Sequence, residues 1–177
     1  MGVKGKLIAS MEVKCGGHMF HDIFHTNTHH VPNITPSNIS HFQIHEGETL
    51  KIGSVVRKYE DGKEMFAKEV IEDFDPQKKS IIWKVIDEDL LELYNSFTVI
   101  SSCEHQWATF TLAYEKKSEE KPEPLGLLAY FIEVTKDIEG HLLKKEKKNI
   151  HDFQQLYIYM RKNLCNDEYS AILATSS

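Results

Sequence analysis

No run of this 177-residue chain is long and apolar enough to read as a membrane-spanning helix or a secretion signal, and its first residues, MGVKGK, are charged. Neither stable membrane insertion nor export is therefore expected. Gly2 follows the first methionine, but Lys6 stands where the myristoylation pattern needs Ser or Thr. Cysteine is scarce. Cys15, Cys103 and Cys165 are odd in number and far apart, which suits reduced thiols in the cytoplasm better than a disulfide framework. None has an adjacent basic partner that would activate a thiolate, so all three read as structural. Positive charge is short as well: 21 Lys and Arg stand against 27 Asp and Glu, a formal charge of -6. Nucleic-acid affinity rests on clustered positive charge, so that balance argues against such a partner. There is no Gly/Ser-rich linker and no internal repeat.

What the chain does have is a long series of strand-like segments followed by one amphipathic helix. Hydrophobic residues at 41% and charged residues at 27% are ordinary globular values. Lys6 to Lys14 alternates Leu7, Ala9, Met11 and Val13 with polar residues, which predicts a first strand. Gly16 and Gly17 end it. His18 to Thr26 then fits a short helix, with Met19, Phe20, Ile23 and Phe24 on an apolar face and His18, His21, Asp22 and His25 opposite. Val31 to Ser40, with Pro32 and Pro36, reads as a second short helical turn or a loop.

Further strands are expected at Ile39 to His45, Lys51 to Tyr59, Lys63 to Phe74, Ser80 to Asp87, Leu91 to Cys103 and Trp107 to Lys116. Asp61-Gly62 marks a hairpin and Asp75-Pro76 a turn. After Pro122 and Pro124, the residues Leu127, Leu128, Phe131, Val134, Ile138 and Leu142 recur at helical spacing. An antiparallel sheet covered by one long helix belongs to the α+β class. Lys144 to Lys148 is a charge cluster that reads as a linker, and Phe153, Leu156, Tyr157, Met160 and Leu164 mark a further short helix. The expected division is a domain over 1–145 and an extension over 146–177 that is partly helical or disordered.

The segments VKGKLIASMEVK, FHDIF, HHVPNITPSNI, HEGE, DGKE, AKEVIE, KVIDEDLLELYNSF, FTLAYEKK and VTKDIEGHL, in that order, resemble the major latex protein family. That family is the plant branch of the birch-pollen-allergen and pathogenesis-related superfamily, with the helix-grip fold. The resemblance implies a seven-stranded curved antiparallel sheet wrapped around a long C-terminal helix, with two short helices after the first strand. It also implies a large apolar cavity that takes small hydrophobic molecules of sterol, flavonoid, cytokinin or terpenoid type, and an association with defence and stress responses. Two departures stand out. The glycine-rich loop after HEGE is reduced to Gly47 and Gly53, and the next segment offers Arg57, Lys58 and Tyr59 where relatives carry aromatics, so a more polar cavity mouth or lining is expected.

Aligned by motif, Phe66, Lys68, Ile81, Trp83, Phe97, Val99, Phe110, Leu112, Leu128, Phe131 and Val134 are the expected inward-facing, ligand-binding residues. Lys68 is the sharpest candidate: a lysine on a cavity wall can hold a ligand anion, and desolvation would lower its pKa toward proton transfer with Glu69, Tyr59 or Tyr114. The alternation of its strand equally allows it to point outward. The histidines His18, His21 and His25 lack a second fixed ligand set, so no metal is expected, and no cofactor. His29 and His30 match the family near the cavity entrance. The expected function is a cytoplasmic binding protein for small hydrophobic plant metabolites. An isomerase or cyclase working in the same cavity through Lys68 and a tyrosine is the alternative, and a partner-binding role for the tail is a third. The pattern sets no oligomeric state.

Overall fold

The computed structural model describes residues 2–46, 51–58 and 63–174. The chain divides into two compact units, Met1–Leu142 and Leu143–Ser177.

The first unit is built on seven antiparallel strands: β1 (Val3–Glu12), β2 (Ile39–Glu46), β3 (Lys51–Lys58), β4 (Glu64–Asp75), β5 (Ser80–Glu88), β6 (Tyr94–Glu104) and β7 (Trp107–Lys116). Their order in the sheet is β1-β7-β6-β5-β4-β3-β2. Consecutive strands from β2 to β7 pair as neighbours, and β1 joins the far edge through β7. The expected strands are all present, within about two or three residues at their ends. Tyr59 and the Asp61-Gly62 turn lie outside the described residues.

Period-two burial fixes the inward face. In β7, Ala108, Phe110, Leu112, Tyr114 and Lys116 are buried, and each alternate residue is partly open. In β6 the inward set is Phe97, Val99, Ser101 and Cys103. Apolar residues on one face of an antiparallel sheet must meet another layer, and here the helices supply it.

Two short helices follow β1: α1 (Gly17–His21) and α2 (Val31–Ile34). Gly17 is required where α1 begins, because a Cβ there would overlap the carbonyl oxygen of His105. Past His21 the backbone widens into a π-helical turn over Asp22–Thr26, closed by Asn27 N–H on the Asp22 carbonyl at 2.8 Å. The wider turn changes which residues face the sheet. Phe20, Phe24 and His25 are buried, while Met19 is exposed. The expected division into an apolar face and a histidine face therefore fails at His25.

The long helix α3 (Leu125–Ala174) covers the sheet with its first half. Leu127, Tyr130, Phe131, Val134, Ile138 and Leu142 are buried, as their helical spacing requires. Polar contacts fix it at two levels. Near its start, Tyr94 donates a hydrogen bond to the Pro122 carbonyl at 2.8 Å, Tyr114 donates to Glu123, and Lys116 pairs with Glu123 at 2.8 Å. Further along, Asp137 accepts hydrogen bonds from Thr35 at 2.6 Å and Asn38 at 3.0 Å, which ties α3 to the residues after α2.

The second unit is the continuation of α3. Lys144 to Lys148, expected to form a linker, is helical, since nothing in it breaks the i to i−4 bonding. Ile150, Phe153, Leu156, Tyr157 and Met160 recur on one face there, and all are exposed.

Candidate functional site

The space between sheet and α3 is where a guest would sit, and the side chains leave little of it open. Between them lies a pocket lined by Phe24, Ile39, Phe42, Val55, Arg57, Glu69, Trp83, Val99, Tyr130 and Phe131. Its volume is about 20 Å³, and a space of ~10–15 Å³ on that measure already takes one water. That pocket is far smaller than the large cavity the resemblance implies. Interlocking rings pack around it: Phe110 stacks on Phe131 at 4.8 Å, Phe24 meets Phe110 at 5.7 Å, and Phe42 meets Trp83 at 5.9 Å.

The pocket wall is apolar except for three residues. Arg57 on β3 and Glu69 on β4 form an ion pair at 2.5 Å, with residue exposures of 2% and 4%. The Arg57 guanidinium carbon also lies 5.9 Å from the centre of the Phe131 ring, a cation–π distance. Tyr130, on α3, is the third.

Strand register explains how two charged side chains meet inside. On the inward face, Arg57 stands opposite Met65, Val55 opposite Ala67, and Gly53 opposite Glu69. Gly53 lacks a side chain where Trp83 closes in; a Cβ there would come within 2.9 Å of the indole. The glycine thus leaves room beside Glu69 for both the indole and the arginine head. Gly53, expected to belong to a glycine-rich loop, is a buried strand residue, and Gly47 lies outside the described residues.

Of the expected site residues, Trp83, Val99 and Phe131 line the pocket. Ile81, Phe97, Phe110, Leu112 and Val134 are buried in the surrounding core, and Leu128 is half-buried. Two placements are corrected. Phe66 is 48% exposed and Lys68 is half-buried, whereas Ala67 and Glu69 between and beyond them are buried. Side chains alternate faces along a strand, so Phe66 and Lys68 lie on the side away from the pocket. The inward polar group of this strand is a glutamate held by an arginine, and Lys68 takes the outward placement that the alternation also allowed. The available signal was Arg57 two positions beyond Val55, the same spacing that puts Glu69 beyond Ala67. Phe24, Ile39, Phe42 and Tyr130 were missed because elements distant in sequence converge there.

Of the groups expected to join Lys68 in proton transfer, Glu69 lies on the opposite face of β4, and Tyr59 lies outside the described residues. Tyr114 is engaged with Glu123, and burial raises the pKa of Tyr94 further, with the Glu123 carboxylate adding to that. His29 and His30 are exposed, their rings 4.0 Å apart. No group of three or more metal-ligating side chains occurs among the described residues.

A second buried polar pair lies outside the pocket. His25 Nε2 and Ser101 Oγ are 2.7 Å apart, and His25 is 4% exposed. Burial, with the neighbouring His21 ring adding to it, pushes the His25 pKa down to about 3. Cys15 and Cys103 are buried free thiols, and burial raises the Cys103 thiol to about 11, which leaves it unreactive at neutral pH.

An open groove of about 540 Å³ lies at the start of α3, bordered by Lys63, Met65, Leu90, Leu93, Tyr94, Glu123 and Leu127. Met65 belongs to the same inward face of β4 as Ala67 and Glu69, and Leu127 lies one helical turn before Phe131. The groove and the enclosed pocket therefore lie along the same two elements.

A sheet folded against one long helix, with an apolar pocket between them, defines a helix-grip protein. The chain belongs to the Pathogenesis-related protein Bet v 1 family, which matches residues 2–145, and to its major latex protein branch. It is similar to MLP-like protein 43 of Arabidopsis thaliana, 37% identical over 150 residues, or 80% of this chain and 95% of that protein. Ginseng major latex-like protein 151 from Panax ginseng has a crystal structure that matches with a TM-score of 0.74 at 36% identity, covering 79% of this chain and 98% of that one. Truncated norcoclaurine synthase from Thalictrum flavum shares the fold at a TM-score of 0.62 and 17% identity, covering 80% and 95% of the two chains.

Proposed function

We propose that this chain is a cytoplasmic binding protein for small hydrophobic metabolites, such as sterols, flavonoids, cytokinins or terpenoids, with a part in defence or stress responses. The family is one of small-molecule binders, and no helix among the described residues is long and apolar enough to cross a membrane. The observation that carries the reading is the wall of the enclosed pocket: aromatic and aliphatic side chains from four strands and two helical segments, with the Arg57–Glu69 ion pair among them. Small-molecule sites combine apolar walls and a few fixed polar groups in this way.

The closed volume sets a condition on binding. A guest enters from the groove at the start of α3 and makes its space by displacing Tyr130, Phe131 and the rings they touch. A flat guest that buries about 300 Å² of apolar surface gains roughly 7.5 kcal/mol at ~25 cal/mol per Å². Side-chain displacement and lost guest motion consume part of that, so affinity in the micromolar range with loose selectivity is expected.

The two tryptophans provide the test. Trp83 lines the pocket and is buried, whereas Trp107 is exposed. In a Trp107→Phe background, titration with a panel of the four ligand types should change Trp83 emission saturably, with calorimetry giving the matching heat. If no compound of the panel alters Trp83 emission or produces heat, the reading fails. The isomerase or cyclase alternative has less support. Lys68 lies on the other face of β4, which leaves Glu69 and Tyr130 as the titratable groups besides Arg57 on the described pocket wall.

A further inference from the structure

The second half of α3 carries a face that the pocket does not use. Ile150, Phe153, Leu156, Tyr157 and Met160 are each more than half exposed. At ~3.6 residues per turn they share one side of the helix, and every residue from 150 to 160 on that side is apolar or aromatic. Single exposed apolar residues need no explanation, whereas a continuous stripe marks a surface that something covers. The stripe lies beyond residues 2–145, the part of the chain that the family matches.

The charge around the stripe points to what covers it. Lys144, Lys145, Lys147, Lys148 and Arg161 are exposed, and the carboxylates among residues 144–161 are those of Glu146 and Asp152. The stretch is therefore positive, in a chain whose formal charge is -6. On the same helical period Lys145 falls at one margin of the stripe, and Lys147 and Arg161 fall at the other. Side chains of this kind lay their methylenes along an apolar surface and carry the charge outward. An exposed helix with an apolar stripe bordered by cations suits the headgroup region of an anionic bilayer. A second copy of the chain fits less well. The alternating three- and four-residue spacing of a coiled-coil seam runs from Ile150 to Leu164, with Glu146 before it and Asp167 after it. That is short of the three or four heptads a sustained seam needs. A parallel pair would also set one lysine cluster against the other.

We propose that α3 beyond Leu143 docks this protein on anionic phospholipid surfaces. The stripe sits at the boundary of headgroups and acyl chains, and the basic side chains meet lipid phosphates. The attachment is peripheral, since no helix among the described residues is long and apolar enough to cross a membrane. An apolar stripe of about three turns holds weakly by itself, so the cations are the second signal that makes the attachment stable. The proposal stands whether or not the pocket takes a guest.

The test is co-sedimentation of the full chain with vesicles of phosphatidylcholine alone, or of phosphatidylcholine and phosphatidylserine mixed two to one. The anionic vesicles should bind at about tenfold or more lower lipid concentration, and high salt should shrink that preference by screening the lysines. Phe153→Gln with Tyr157→Gln keeps good helix formers in place and should weaken binding to anionic vesicles about tenfold or more. Lys144→Gln, Lys145→Gln, Lys147→Gln and Lys148→Gln together should remove the preference for phosphatidylserine. Circular dichroism checks that the variants keep their helix. Equal binding to the two vesicle types, or binding to neither, overturns the proposal, as does undiminished binding by the Phe153→Gln, Tyr157→Gln protein. A wild-type dimer in light scattering that this variant converts to a monomer, with no vesicle binding, assigns the stripe to a second copy instead. Should that variant lose its helix, the lysine variant and the wild-type vesicle comparison still decide.

Discussion

Among the described residues, two side-chain pairs have both members buried, and they solve the problem of burial in opposite ways. Arg57 and Glu69, on adjacent strands at the pocket, are held as opposite charges 2.5 Å apart. His25 and Ser101, where the helical segment after β1 packs on β6, are held as a neutral hydrogen bond at 2.7 Å. The first pair spends Coulomb attraction to offset desolvation. The second avoids charge altogether, with the His25 pKa pushed down to about 3. The charged pair lines the enclosed pocket, and the neutral pair joins two packed elements.

The contrast can be broken most forcefully at the ion pair. Arg57→Met or Glu69→Leu alone removes one charge of the buried pair and should cost about 3–5 kcal/mol in denaturant unfolding. Arg57→Met with Glu69→Leu should restore wild-type stability or exceed it by about 1–4 kcal/mol. A double variant as unstable as either single one would mean the pair stabilises the fold directly. Ser101→Ala is the matching experiment at the neutral pair. It strips a buried imidazole nitrogen of its partner and should cost about 1–3 kcal/mol by the same measurement.

Acid should separate the pairs next. His25 titrates near 6.5 when unfolded and at about 3 when folded, so folding favours its neutral form. The stability this gives is complete above 6.5 and is lost as pH falls toward 3. From pH 8 to about pH 5.5 the loss should be about 1.4 kcal/mol, absent in a His25→Gln variant. Parallel pH curves for the two proteins would remove the argument. The smallest effect belongs to the outer face of β4, where Lys68→Ala should change stability by no more than about 0.5 kcal/mol and leave ligand affinity unaltered.

The strands show where local reasoning holds and where it stops. In β7 the alternation of Ala108, Phe110, Leu112 and Tyr114 gives the buried face directly, and that face is the one observed. In β4 both faces mix apolar and charged residues, with Phe66 and Val70 on one side and Ala67, Glu69 and Ile71 on the other. Phase then depends on partners, and the pairing of Glu69 with Gly53 and its reach to Arg57 decide it. The π-helical turn at Asp22–Thr26 is a similar case. A period of 3.6 put His25 with the solvated histidines, and one widened turn brings it inside against Ser101.

The two halves of α3 make the same point on one helix. Helical spacing of apolar residues is present in both, yet Phe131 and Val134 are buried while Phe153 and Tyr157 are exposed. Periodicity states that a face exists; it carries no information about what meets it.

The amino-acid sequence by itself determined the class of fold, the succession of strands and helices and the family, because these follow from short-range periodicity and from motifs in a fixed order. Tertiary structure alone decided which residues of β4 look inward, that an arginine and a glutamate meet among aromatic rings, and how much room those rings leave. Those outcomes depend on strand register and on volumes packed by side chains far apart along the chain, and no local pattern encodes either.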